Sequence, residues 1–318
     1  MSESPAPGIL RTPDACFENL PGYAFAPHYL DIDGLRFHYL DEGPADAPPV
    51  LLIHGEPSWC YLYRKMIPGI VAAGFRAIAP DLMGFGRSDK PAERSAHTYA
   101  RHVAQMTELV VRLDLQNATL FCQDWGGLIG LRVLANEPDR FARAIAANTA
   151  LPDGPLDDGL VLVDEAGNIN EAMVGTLPGA FKQWLIASQT MPVFNSGLVV
   201  QSGTVSDLPD DIVAAYNAPF PDESYTAGPR AMPTLVASQL ASNARAWNDV
   251  YAHWTKPFLT AFSDSDPILG RNYKVFQERI PGAQGQPHVT IEQAGHFLQE
   301  DQGERLAEEV VAFARAGG

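Results

Sequence analysis

The chain is short of three things, and each shortage removes a class of protein. Among 318 residues there are only three cysteines, Cys16, Cys60 and Cys122. An odd number at wide spacing rules out a disulfide-stapled framework and offers no zinc spacing. Positive charge is scarce, with 22 Lys and Arg against 38 Asp and Glu, a formal net charge of −16. Nucleic acid and anionic membrane surfaces need basic patches, so neither is an expected partner. Long apolar runs are missing: none approaches the roughly 20 residues of a membrane-spanning helix. Met1 to Gly22 carries neither a basic n-region nor an apolar h-region, so no signal peptide is expected. A reduced, soluble, cytoplasmic protein follows, as monomer or weak homo-oligomer. No internal repeat or low-complexity tract is visible.

What is present is a globular composition, 46% hydrophobic and 19% charged. Short apolar runs end in polar residues. Val50–Ile53 stops at His54-Gly55, Arg76–Ala79 at Pro80-Asp81, and Thr119–Gln123 at Asp124. Ala144–Ala147 stops near Asn148, Phe258–Phe262 before Asp264 and Asp266, and Val289–Ile291 before Gly295-His296. Strands apolar on both faces are buried parallel strands. Between them, Tyr99, Val103, Met106, Val110 and Leu113 keep helical spacing, as do Leu306, Val310 and Phe313. The alternation predicts an α/β fold, a mostly parallel central sheet flanked by helices. Ligands in such sheets bind beyond the carboxyl ends of the strands. From about Leu151 to Arg230 no clear strand appears, while Phe181–Ile186 and Asp210–Tyr216 look helical. We read 151–230 as a helical cap inserted into a core domain made of 1–150 and 231–318.

Four segments carry chemistry. In Cys122-Gln123-Asp124-Trp125-Gly126-Gly127 a strand runs into a turn of small residues and then into a helix. This is the layout of a nucleophile elbow, with Asp124 where most elbows have Ser. A carboxylate is anionic at neutral pH and attacks without a base, so it can displace a leaving group from saturated carbon and form an ester. A dinucleotide loop is the rival reading, but the glycines run G-G-x-x-G and Asp124 would face a pyrophosphate. His54-Gly55-Glu56-Pro57 follows a strand and can aim a backbone N–H at the site. With Trp125, Glu56 would form an oxyanion hole. His296, after the last strand, is the natural general base, whereas His288 precedes that strand and His54 supports its own turn. Asp264 and Asp266 compete to hold the imidazole. With Asp266 the chain order is nucleophile, acid, base, that of α/β-hydrolases. Trp125 and Trp184 are uncharged indole donors able to bind a departing halide, although a buried Trp is more often packing. Neither a cofactor nor a metal is called for.

Beyond these readings, His54-Gly55-Glu56-Pro57-Ser58-Trp59 with Tyr61–Pro68 resembles the haloalkane dehalogenases. So do Gly84–Pro91, Gln123–Gly127 and Gly295–Glu300. The resemblance covers nearly the whole chain, including Ala218–Asp222, and is closest to the subfamily of the Xanthobacter-type enzyme for short chloroalkanes. It implies an α/β-hydrolase fold and hydrolysis of a haloalkane by water to a primary alcohol, halide and a proton, through an alkyl ester on Asp124. It also implies His296 as base, Asp266 as acid, and Trp125 with Trp184 as halide ligands. A sister subfamily places its acid after the strand before the cap and an Asn beside the His-Gly turn. Here those positions hold Asn148 and Glu56. The stretch from Trp184 to Ala218 matches the family poorly. An epoxide hydrolase shares the Asp nucleophile and His base but needs two cap tyrosines, for which Tyr216 and Tyr225 are the candidates. A fluoroacetate-type dehalogenase would want an arginine where Trp125 stands. A non-catalytic binding module would usually have lost part of the triad.

Overall fold

Eight strands form one sheet in the computed structural model, which describes residues 5–155, 162–164 and 168–316. They are β2 (His28–Ile32), β3 (Leu35–Glu42), β4 (Pro49–Ile53), β5 (Arg76–Pro80), β7 (Ala118–Gln123), β8 (Phe141–Ala147), β9 (Phe258–Ser263) and β10 (Val289–Ile291). A two-residue pair, β1 (Ile9–Leu10) with β6 (Lys90–Pro91), stands apart. The sheet order is β10-β9-β8-β7-β4-β5-β3-β2. All pairings from β10 across to β5 are parallel, and β3 pairs antiparallel with both β5 and β2, so β3 alone runs against the other strands.

The apolar runs are continuous because both sheet faces are covered. Leu51, Ile53, Leu120, Cys122, Ala144 and Ala146 enter one core layer. Their neighbours Val50, Leu52, Phe121, Ile145 and Ala147 enter the other. Side chains alternate along a strand, so each run supplies both layers. The flanking helices include α1 (Ile67–Ala72), α2 (Tyr99–Arg112), α3 (Trp125–Asn136), α10 (Tyr273–Arg279) and α11 (Leu298–Arg315). The Thr98 side chain caps α2 by accepting the Arg101 N–H at 3.1 Å. Tyr99, Val103, Met106 and Val110 pack into the first layer, and Leu306, Val310 and Phe313 into the second.

The edge hairpin β2–β3 is not anticipated by the apolar runs. Its outer strand is half-exposed and mixes His28 and Asp31 with Tyr29 and Leu30, so no continuous apolar stretch marks it.

Between β8 and β9 lie α4 (Glu171–Val174), α5 (Gly179–Thr190), α6 (Ser196–Ser202), α7 (Asp210–Asn217), α8 (Ala227–Ala231) and α9 (Leu240–Arg245). Of the 151–230 stretch, residues 156–161 and 165–167 lie outside the described residues. The segment is attached unevenly. Val200, Ala215 and Tyr216 join the second core layer, whereas Leu162, Val174, Leu185 and Ala237 form a small core of their own. Ser196 Oγ donates to the Pro57 carbonyl at 2.6 Å. Arg64 grips Glu300 with two N–H groups, and the Tyr216 hydroxyl donates to the same carboxylate. That buried cluster ties α7 to α11, the helix that begins two residues after His296.

Candidate active site

Strand β7 ends at Gln123 and α3 begins at Trp125, so the chain turns within one residue. Asp124 sits at φ 53°, ψ −129°, a left-handed conformation that disfavours any side chain. The turn fits because Gly126 and Gly127, two and three residues further on, lack side chains. A Cβ on Gly126 would overlap the Ile53 carbonyl, and one on Gly127 would overlap Thr149. The strain is held from both sides: the Asp124 N–H donates to Asn148 O at 3.0 Å, and its carbonyl accepts Thr149 Oγ1 at 2.7 Å.

The Asp124 carboxylate is thereby lifted above the strand ends, and Glu56 N–H donates to its Oδ1 at 2.8 Å. Trp125 N–H belongs to the first turn of α3, whose donors have no partners within the helix. His296 Nε2 stands 3.4 Å from Asp124 Oδ2, and His296 Nδ1 is 2.9 Å from Asp266 Oδ2. Asp266 is fully buried, and its Oδ1 accepts the N–H groups of Ile268 (2.8 Å) and Leu269 (3.2 Å). Asp264 points elsewhere. It is exposed and accepts the N–H groups of Gln293 (3.0 Å) and Ala294 (3.3 Å), tying β9 to the turn after β10. Of the two competing carboxylates, only Asp266 faces the imidazole.

Burial opposes charge on His296, yet its pKa is pushed up to about 10. The Asp266 charge leads the opposing effects, followed by hydrogen bonding to Asp124 and Asp266. Burial also opposes charge on Asp266, but His296 and the two backbone N–H donors hold its carboxyl below the usual range.

Asp124 and His296 line a cavity of about 740 Å³ together with Trp125, Trp184 and Glu56, and Asp266 stands behind the imidazole, outside that lining. Trp125 packs edge-on against Tyr99 (5.3 Å between ring centroids), and Trp184 edge-on against Phe194 (6.2 Å). The side chain of Glu56, which motif reading used only for its backbone, is buried at 3% exposure. Burial and then the Asp124 charge push its pKa well up, against the opposing effects of His296 and a hydrogen bond from Trp184.

Other histidines and tyrosines fall outside it. His54 Nε2 accepts the Leu82 N–H at 3.0 Å and braces its own turn, while His288 reaches Thr260 at the far end of the sheet. Tyr216 is fully buried with its hydroxyl on Glu300, and Tyr225 packs against the main core. Neither tyrosine lines the cavity among the described residues, so the two candidate proton donors of an epoxide hydrolase lie elsewhere.

Two buried amides escaped the sequence reading. Asn148 Nδ2 donates to the carbonyls of Gly295 (3.0 Å) and His296 (3.1 Å), and Gln123 Nε2 reaches His296 O at 3.0 Å. The available signal was their place, since each is a polar residue closing or following an apolar strand beside the elbow.

An Asp at a strained strand–helix turn, facing a His–Asp pair at the ends of a parallel sheet, fits an α/β-hydrolase. The family model described as alpha/beta hydrolase fold matches residues 48–302. Haloalkane dehalogenase of Psychrobacter cryohalolentis is 54% identical over 315 residues, covering 96% of this chain and 97% of that one. Haloalkane dehalogenase of Mycobacterium marinum is 47% identical, covering 96% and 99%. Among solved structures, the tetrameric haloalkane dehalogenase DpaA of Paraglaciecola agarilytica superposes with a TM-score of 0.82 at 33% identity, covering 96% of this chain and 98% of that one. The chain belongs to the haloalkane dehalogenases, hydrolases that cleave carbon–halogen bonds through an alkyl-enzyme ester.

Proposed function

We propose that Asp124, His296 and Asp266 carry the reaction, that Trp125 and Trp184 hold the halide, and that 151–230 is a cap closing the cavity. The observation that supports this most directly is the continuous line Asp124–His296–Asp266 opening on a cavity that also contains both indoles. Asp124 attacks the carbon bearing the halogen, the carbon–halogen bond breaks, and the halide leaves toward the indole N–H groups. The carboxylate becomes a neutral ester. His296 then loses one of the anions that held its proton, and it releases that proton to solvent. The neutral Nε2 next takes a proton from water as the hydroxyl adds to the ester carbonyl carbon. Glu56 and Trp125 N–H groups hold the oxyanion. Collapse expels the alcohol, which carries away the remaining hydroxyl proton, and restores the Asp124 carboxylate. His296 ends as it began, as the imidazolium.

His296→Gln separates the steps. The variant is expected to release one bromide per enzyme from 1-bromobutane and then stall, with one butyl group on the peptide carrying Asp124 by mass spectrometry. A stalled variant without that adduct would refute the assignment of Asp124. The Xanthobacter-type subfamily remains our finer reading, because Asp266 rather than Asn148 faces His296 and because Trp184 shares the cavity with Trp125. We also retain a cytoplasmic location; no helix among the described residues is long and apolar enough to cross a membrane. The tetramer of the Paraglaciecola relative sets an alternative to a monomer or weak homo-oligomer, and light scattering on the purified chain decides between them.

A further inference from the structure

Gln123 closes β7 immediately before the nucleophile, and its side chain is fully buried. Its Nε2 lies 3.0 Å from the His296 carbonyl oxygen and 3.2 Å from His296 Nε2. The first contact orients the amide. A carbonyl oxygen only accepts, so the group facing it is the NH₂. The second amide hydrogen is then left for the imidazole, and the ring can receive it only while Nε2 carries a lone pair. That is the neutral tautomer with its proton on Nδ1, toward Asp266 at 2.9 Å. The other end of the amide, Oε1, is buried and has no partner among the described residues. The amide is thus anchored through His296.

Asp124 Oδ2, 3.4 Å from the same Nε2, has the opposite preference and favours a proton there. One ring nitrogen therefore has two neighbours with contrary demands. While Asp124 is a carboxylate its charge dominates. Once Asp124 is an ester, the anion is gone and the Gln123 donor remains. The other titratable groups around the imidazole are Asp266 after β9, Glu56 after β4, Asp301 at the start of α11, and Asp153 on the cavity wall. None of these places a second donor on Nε2.

We propose that Gln123 is a positioning residue for the hydrolytic half of the reaction, which disfavours the His296 imidazolium in the alkyl-enzyme and so makes the imidazole a base at neutral pH. The contact, at 3.2 Å, lies at the long end of the hydrogen-bond range, while the bond to the carbonyl is shorter. The inference rests on His296 being the base.

The test is stopped-flow turnover of 1-bromobutane across pH by wild type, Gln123→Met and Gln123→Glu, following the halide burst and the hydrolysis after it. In Gln123→Met the burst is expected at close to one halide per site with a rate within about threefold of wild type. The acid limb of hydrolysis should move up by about 0.5–1 pH unit, the worth of one ordinary hydrogen bond. Gln123→Glu, nearly isosteric, should move it further in the same direction, because an acceptor replaces the donor. An acid limb that stays in place while hydrolysis slows equally at every pH would show that Gln123 only packs. Loss of the burst in Gln123→Glu would also overturn the proposal, by placing the residue in the first step. Failure of the underlying reading looks different: His296→Gln would itself hydrolyse the ester.

Discussion

Asp266→Asn changes one oxygen of a fully buried carboxylate for an amide nitrogen and leaves the shape of the turn intact. The amide would keep Oδ1 as acceptor for the Ile268 and Leu269 N–H groups, since both bonds already converge there. Its NH₂ would then face His296 Nδ1, now 2.9 Å from Oδ2, and drive the ring proton to Nε2. That is the wrong nitrogen for a base. The size of the loss follows from the charge being held. Burial opposes the imidazolium, and the Asp266 charge leads the effects that hold it. A triad Asp→Asn change costs on the order of 10⁴ in kcat, about 5.5 kcal/mol. We therefore expect hydrolysis to slow by at least about 10³ with the halide burst retained. Quenched-flow detection of bromide and alcohol separates the steps. Asp264→Asn should leave both rates within about twofold, because Asp264 is exposed and holds only a turn. Comparable losses in the two variants, or a fully active Asp266→Asn, would refute the reasoning.

Replacing Trp184 or Trp125 by Phe keeps a ring and removes a donor. Carbon–halogen cleavage should slow by about 10²–10³, with weaker bromide quenching of the remaining Trp fluorescence, and unchanged quenching would remove that residue from the halide site. The raised pKa of His296 places the imidazolium in the resting enzyme below about 10, so between the acid limb of hydrolysis and that pH a proton should appear in an indicator dye together with the halide burst. As pH rises through about 10 the imidazole is already neutral, and the proton burst should vanish; protons released only with the alcohol would contradict the cycle. Gly55→Ala would put a methyl group inside the Asp124 side chain, so activity should be lost with the chain still folded by circular dichroism.

The parts of the molecule legible in sequence are those where burial alone sets the residue type. Strands β4, β7, β8 and β9 are apolar on both faces and announce themselves, whereas β2 is half-exposed and does not. The elbow was legible because a strained turn admits only small neighbours. The choice between Asp264 and Asp266 was not legible from spacing. Two residues decide whether a carboxylate caps the turn beyond the sheet edge or folds back under the backbone N–H groups of Ile268 and Leu269. Tyr216 shows the same limit: its helix was visible, but the direction of its hydroxyl depends on Arg64 and Glu300, distant in the chain. The amides of Gln123 and Asn148 and the carboxyl of Glu56 acquire meaning only from partners brought by other strands.

The Arg64–Glu300–Tyr216 cluster has a consequence for how substrate enters. Drawing α7 away from the core would strip a buried carboxylate of one of its donors, and a hydrogen bond to a charged group is worth about 1.5–3 kcal/mol. The half that carries Trp184 is held differently. Helix α5 sits on its own small core of Leu162, Val174, Leu185 and Ala237, and its far end is fastened where Arg230 donates to Ser188 O and Met191 O. On the proposed reading of 151–230 as a cap, the roof is expected to open on one side, pivoting at the Arg230 end, so that the leaf that moves is the one that carries Trp184.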